Sequence, residues 1–185
     1  MADFSDFTSL VSNFVPNVPP FVVARAAQQI SQDFFGRTTE LQETLTVTTV
    51  IGQKDYTLTP TIADTFVNLV LCVEDENGYG MAHSQTGNTL MVSPIPTRVQ
   101  DIKVKVALTP NIEATEIPDN VFYRHTNALR YGTIAILKSQ TATEWYSPAE
   151  AANYLTLYEQ EINQSKILQL SANNNLTMQI NKFDL

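Results

Sequence analysis

The side chains that could do chemistry are few. The chain carries two histidines and one cysteine in 185 residues. His83 sits in a loop-like polar stretch and His125 on an apolar helical stripe. Neither has Cys, His, Asp or Glu at the spacing of a zinc site. Cys72 lies in the apolar run from Phe66 to Val73, the setting of a buried and inert thiol, and a single cysteine excludes an internal disulfide. Glu74-Asp75-Glu76 concentrates carboxylates, but its spacing departs from a calcium-hand loop, so it reads as a solvated turn. Gly78-Tyr79-Gly80 follows that turn without the helix a dinucleotide phosphate needs, and no Gly-x-Ser-x-Gly elbow occurs. Glu40 and Glu43 are a carboxylate pair to weigh for glycoside hydrolysis, yet they flank a strand start, where polar residues are expected anyway. These residues predict no enzyme, no cofactor and no metal.

Composition narrows the partners. Net charge is −8, and the 11 basic residues are scattered, with no run longer than Lys103-Val104-Lys105. Wrapping nucleic acid needs clustered Lys and Arg, so sequence-specific DNA binding is not expected. An acidic surface instead suits one that DNA passes without sticking. Hydrophobic residues are 43% and charged residues only 16%, the balance being filled by Thr, Asn, Gln and Ser. That mix suits β-rich surfaces and contacts between identical copies. No apolar run approaches the ~20 residues of a membrane span, and Asp3 and Asp6 stand where a signal peptide would be basic. The expectation is a chain folded in a reducing cytosol, with no membrane partner.

The elements that position these residues read as α+β, in one domain over residues 1–185. Residues 1–36 hold N-terminal helices: Phe4, Phe7, Val11 and Phe14 at helical spacing, then Val23, Ala26, Ala27, Ile30 and Phe34 on one face of a helix from Pro20 to about Phe35, with Gly36 as its stop. Residues 41–110 form an inserted β region, an antiparallel sheet of about five strands. Leu45, Val47, Thr49 and Ile51 alternate, Gly52–Asp55 reads as a turn, and Tyr56–Leu58 as the strand that returns. Phe66–Val73 reads as a strand buried on both faces, followed by a long loop, a short strand at Leu90–Val92 and an alternating strand from Asp101 to Leu108.

Residues 117–170 form a helical hairpin. Its first helix shows one face through Val121, His125, Ala128, Leu129, Gly132, Ala135 and Ile136, and a second patch of Tyr123, Ile134 and Leu137 beside Arg130. A helix apolar on two sides packs on two sides, so this patch is expected to meet the sheet or another subunit. Ser147, Pro148 and Glu150 form the start of the second helix, whose Tyr154 and Tyr158 face the small residues of the first. Residues 171–185 read as an extended tail: a polar link, then Leu176, Met178 and Ile180 alternating with polar residues, then Phe183. Such a strand needs an edge to pair with.

This order of parts resembles the phage head–tail adaptor (connector) family. The motifs are Asp33-Phe34-Phe35-Gly36-Arg37-Thr38, Gly52-Gln53-Lys54-Asp55-Tyr56-Thr57-Leu58, Val104-Lys105-Val106-Ala107-Leu108-Thr109-Pro110, Ile117-Pro118-Asp119, Trp145-Tyr146-Ser147-Pro148 with Ala151 and Tyr154, and Ile180-Asn181-Lys182-Phe183. Asn127, Arg130 and Thr133 depart from the family's alanine-rich hairpin, and residues 66–96 match no motif. The resemblance implies a structural virion protein at the head–tail junction. It would form a homo-oligomeric ring between the portal protein and the tail tube or nozzle proteins, with viral DNA passing through the centre. The portal and subunit contacts would be Tyr123, Arg130, Ile134, Leu137, Leu176, Met178, Ile180 and Phe183. A tail-completion or tail-tube ring component, or a peptidoglycan-degrading enzyme carried on an adaptor, are the alternatives.

Overall fold

In the computed structural model, the described residues are the backbone of 1–177 and the side chains of 1–170. The strand pattern expected for Met178 and Ile180, and the contact expected of Phe183, lie outside the described residues. Ala2–Asp3 (β1) pairs with Glu116–Ile117, and a 3-10 turn at Phe4–Asp6 leads into a short helix at Phe7–Val11 (α1). Phe4, Phe7, Val11 and Val15 are buried, so this segment packs on its own chain.

The helix that everything touches is Pro20–Thr38 (α2). Pro20 sits in its first turn, where a missing N–H costs nothing. Val23, Ala26, Ala27, Ile30 and Phe34 are buried as their spacing requires. The helix does not stop at Gly36. Phe35 and Thr38 are also buried, Thr38 Oγ1 donates to Phe34 O, and the cap is Thr39 in the left-handed region.

The β region is two three-stranded sheets rather than one sheet. The first consists of Gln42–Thr48 (β2), Thr65–Glu74 (β4) and Asp101–Pro110 (β7), with β7 central and antiparallel to both neighbours. The second consists of Asp55–Thr57 (β3), Ala82–Thr86 (β5) and Thr89–Ser93 (β6), with β6 central. Thus β3 does not return along β2; it pairs with β6. Most of the expected long loop after Glu76 is the β5–β6 hairpin. Glu116–Ile117 is β8.

Strand β4 is not buried on both faces. Val67, Val70 and Val73 are buried, while Phe66 and Leu69 are 42% and 47% exposed. The register against β7 slips between Val67 and Leu69 and again between Val70 and Cys72. Each slip adds a residue, so the inward positions recur every third residue instead of every second. Cys72 is therefore half-buried rather than buried.

Asp119–Ser139 (α3) and Pro148–Thr177 (α4) form the hairpin. α4 continues as helix through residues 171–177, so the polar link does not break it and Leu176 belongs to a helix. Local hydrogen bonding along an established helix outweighs the weak turn preference of Asn173–Asn175. α3 packs against α1, α2 and α4, and α2 packs on β7, so one hydrophobic cluster joins the helices to the sheets. The fold is α+β.

Candidate interaction surfaces

The residues expected at an interface on α3 separate by burial. Ile134 and Leu137 are fully buried, which corrects their assignment to an open patch. A helix covered by three other elements needs apolar residues around most of its circumference, and these two serve the chain's own core. Arg130 is half-covered: its guanidinium lies 5.6 Å from the Phe14 ring and 5.1 Å from the Tyr131 ring, with Nη2 donating to Asn127 Oδ1 at 3.1 Å. Tyr123 alone of the four is open, at 73% exposure, edge-on to the Phe122 ring.

Gly132 also acts differently from expectation. It does not make room for the tyrosines of α4; a Cβ there would meet Ile30 Cγ2 at 2.7 Å and Cδ1 at 2.8 Å. The close approach is to α2. Tyr158 of α4 is buried against Phe34 and donates its hydroxyl to Asp33 Oδ2 at 2.7 Å. Burial, and then that carboxylate, push its phenol well above the usual tyrosine range. Beside it Arg37 meets Glu159 with two hydrogen bonds of 2.8 and 2.6 Å, and Asp33 at 3.2 Å. The pairing lowers the Glu159 carboxyl. This cluster clamps the C-terminal half of α2 to α4.

His125 interrupts α3 with a non-helical backbone. Its ring packs on Phe34 and its Nε2 is 3.4 Å from Glu40 Oε2, with Arg124 at 3.9 Å from the same oxygen. The histidine contact is within ion-pair range, but Nε2 makes no hydrogen bond, so it is a close polar contact rather than a bonded pair. These groups border a cleft of about 420 Å³ with Glu161, Ser165 and Gln169. Among the described residues no group of three or more His, Cys, Asp or Glu could hold a metal. The acidic triplet is a turn: Asp75 accepts from the Asn77 and Tyr79 backbone N–H groups at 2.9 and 2.8 Å, which lowers its carboxyl, and Glu76 pairs with Arg98 at 3.0 Å.

The surface that periodicity missed is at the loop ends of the sheets. Val50, Ile51, Ile95 and Val99 are all at least half exposed, at 51 to 64%. Their two loops are tied together by Gly52 N–H donating to Pro96 O at 2.9 Å and Thr49 N–H to Gln100 O at 2.8 Å. The Tyr56 hydroxyl braces the first loop, accepting from Val50 N–H and donating to Gln53 O. The aliphatic tips are held out by an ordered frame. On α4, Leu155, Leu168 and Leu170 are also exposed. Run-on alternation from Val47 through Ile51 pointed Ile51 inward; only the pairing partner shows that the strand has ended. The chain matches no protein-family model, and a search of curated proteins finds no relative.

Proposed function

We propose that the chain is a structural virion protein that forms a ring between portal and tail, connects head to tail and lines the DNA exit channel. It acts by binding, without catalysis. The observation that carries the reading is the open aliphatic cluster of Val50, Ile51, Ile95 and Val99 on a braced pair of loops. Exposed apolar side chains gathered on an ordered frame mark a surface made for protein contact. It sits on a chain of net charge −8, which lets DNA pass without counterion-driven capture. The helices, with a β region inserted between α2 and the hairpin, support the same reading, as does the motif order that resembles head–tail adaptors. Of the contacts inferred on α3, Tyr123 and the edge of Arg130 remain open to a neighbour.

The test is to mix purified protein with portal rings and image the product. A ring of added density on the portal is expected. Absence of binding to portal, or assembly on tail tubes alone, would overturn the reading.

A further inference from the structure

Two outer strand edges face one another across the two sheets. β4 is an outer strand of one sheet and β5 an outer strand of the other. They meet where Glu74 bridges Gly80 and Met81 N–H donates to Val73 O at 2.8 Å. Farther along they diverge, leaving a groove of about 430 Å³ lined by Val67–Val70 of β4 and by His83, Gln85 and Gly87. The Gln85 side chain spans it. Its Oε1 accepts from Val70 N–H at 2.7 Å, and its Nε2 donates to Gly87 O at 2.7 Å, with Asn68 O at 3.5 Å. A side-chain amide thus holds main-chain groups that an added strand would bond. Phe66 and Leu69 stay exposed on the same strand. An apolar edge of this kind is a template for a further strand.

The chain itself carries a matching segment. Gln169 of α4 accepts from Thr39 Oγ1 at 2.8 Å, just past the end of α2. Gly36, in the last turn of α2, accepts from Asn68 Nδ2 of β4 at 3.0 Å. The far end of α4 and the groove therefore border the same end of α2. From Gln169 to Thr177 the helix advances about 12 Å, and residues 178–185 in extended form reach about 26 Å. Met178 and Ile180 alternate with Gln179 and Asn181, which lets one face lie over Phe66 and Leu69 while the other meets water.

We propose that residues 178–185 dock as an added strand along β4, in the β4–β5 groove of their own chain, and displace the Gln85 amide. The inference rests on the groove and the reach, and does not depend on portal binding. Amide hydrogen exchange on the full chain tests it against the Met178→Asp/Ile180→Asp variant. The amides of Val67–Val70 and His83–Gly87 are expected to exchange about tenfold faster in the variant, with the helices unchanged. A synthetic peptide of residues 176–185 added to the variant should restore the slow rates. Gln85→Ala in that variant removes the competing amide and should tighten peptide binding several-fold, to a Kd about 3–10 times lower. Sedimentation checks the occupant: a monomer is expected, and a dimer lost in the variant would place the segment in a second copy and overturn the proposal. Equal groove exchange in both proteins, or a peptide that restores nothing, overturns the proposal.

Discussion

Gly132 shows how one absent methyl sets a helix crossing. Alanine would gain about 1 kcal/mol of helix propensity, but its Cβ would press on two Ile30 carbons inside 3.0 Å. Overpacking of a filled interface costs about 1–3 kcal/mol, so Gly132→Ala should lower stability by roughly 1 kcal/mol net. Urea unfolding measures it, and the loss should vanish in an Ile30→Ala background. Ile134 and Leu137 belong to the same interior. Ile134→Asp and Leu137→Asp should each destabilise by about 4 kcal/mol or more, as much as Leu129→Asp, because each buries an unpaired charge. A pair of variants that stayed stable but failed to assemble would return these residues to an interface. The Arg37–Glu159 pair carries a pH signature. The Glu159 carboxyl lies below its ordinary 4.5, so its stabilisation is present above that value and fades as pH falls through the lowered one. Both side chains are over a third exposed, which limits the contribution to about 0.5–1 kcal/mol. Glu159→Gln should lose that amount at neutral pH and progressively less as the pH is taken below 4.5, by denaturant titration across that range.

At the scale of elements, β4 departs furthest from simple periodicity. Two register slips convert a run of apolar residues into one buried and one open face. Leu69→Thr should change stability by less than about 0.5 kcal/mol, whereas Val70→Thr, one residue on, should cost about 1–2 kcal/mol. Thermal unfolding of the two variants checks the slip directly; equal losses would restore a strand buried on both sides. α4 is 30 residues, about 45 Å of helix, against 21 residues in α3. The extra length, with Leu168 and Leu170 open near its end, carries the chain beyond its hairpin partner.

For the whole molecule, the division of labour follows the layers. α2 holds the helices on one side and β7 on the other, so the loop tips of the sheets can carry open aliphatic groups without weakening the core. Ile51→Asp with Ile95→Asp should leave the melting temperature within a few degrees of the parent and abolish binding to portal rings, as read by co-sedimentation. A variant that still bound portal would move the contact surface to α4 or Tyr123.

The amino-acid sequence by itself determined where the helices lie, though not that α2 runs past Gly36 or α4 past Leu170. Their apolar spacing, the prolines at Pro20 and Pro148 and the turns between them are local signals, and local hydrogen bonding makes a helix from them wherever it sits. It also determined the α+β class, because the period changes from 3.6 to 2 at Leu41. Tertiary structure alone decided which strands pair, since a ladder joins residues distant in sequence: β3 found β6, and β4 found β7 with two slips. It alone decided that Ile134 and Leu137 face inward, because an amphipathic stripe reports apolarity and not what covers it. The loop-tip cluster and the β4–β5 groove became visible only in three dimensions, since each is assembled from segments that no periodicity links.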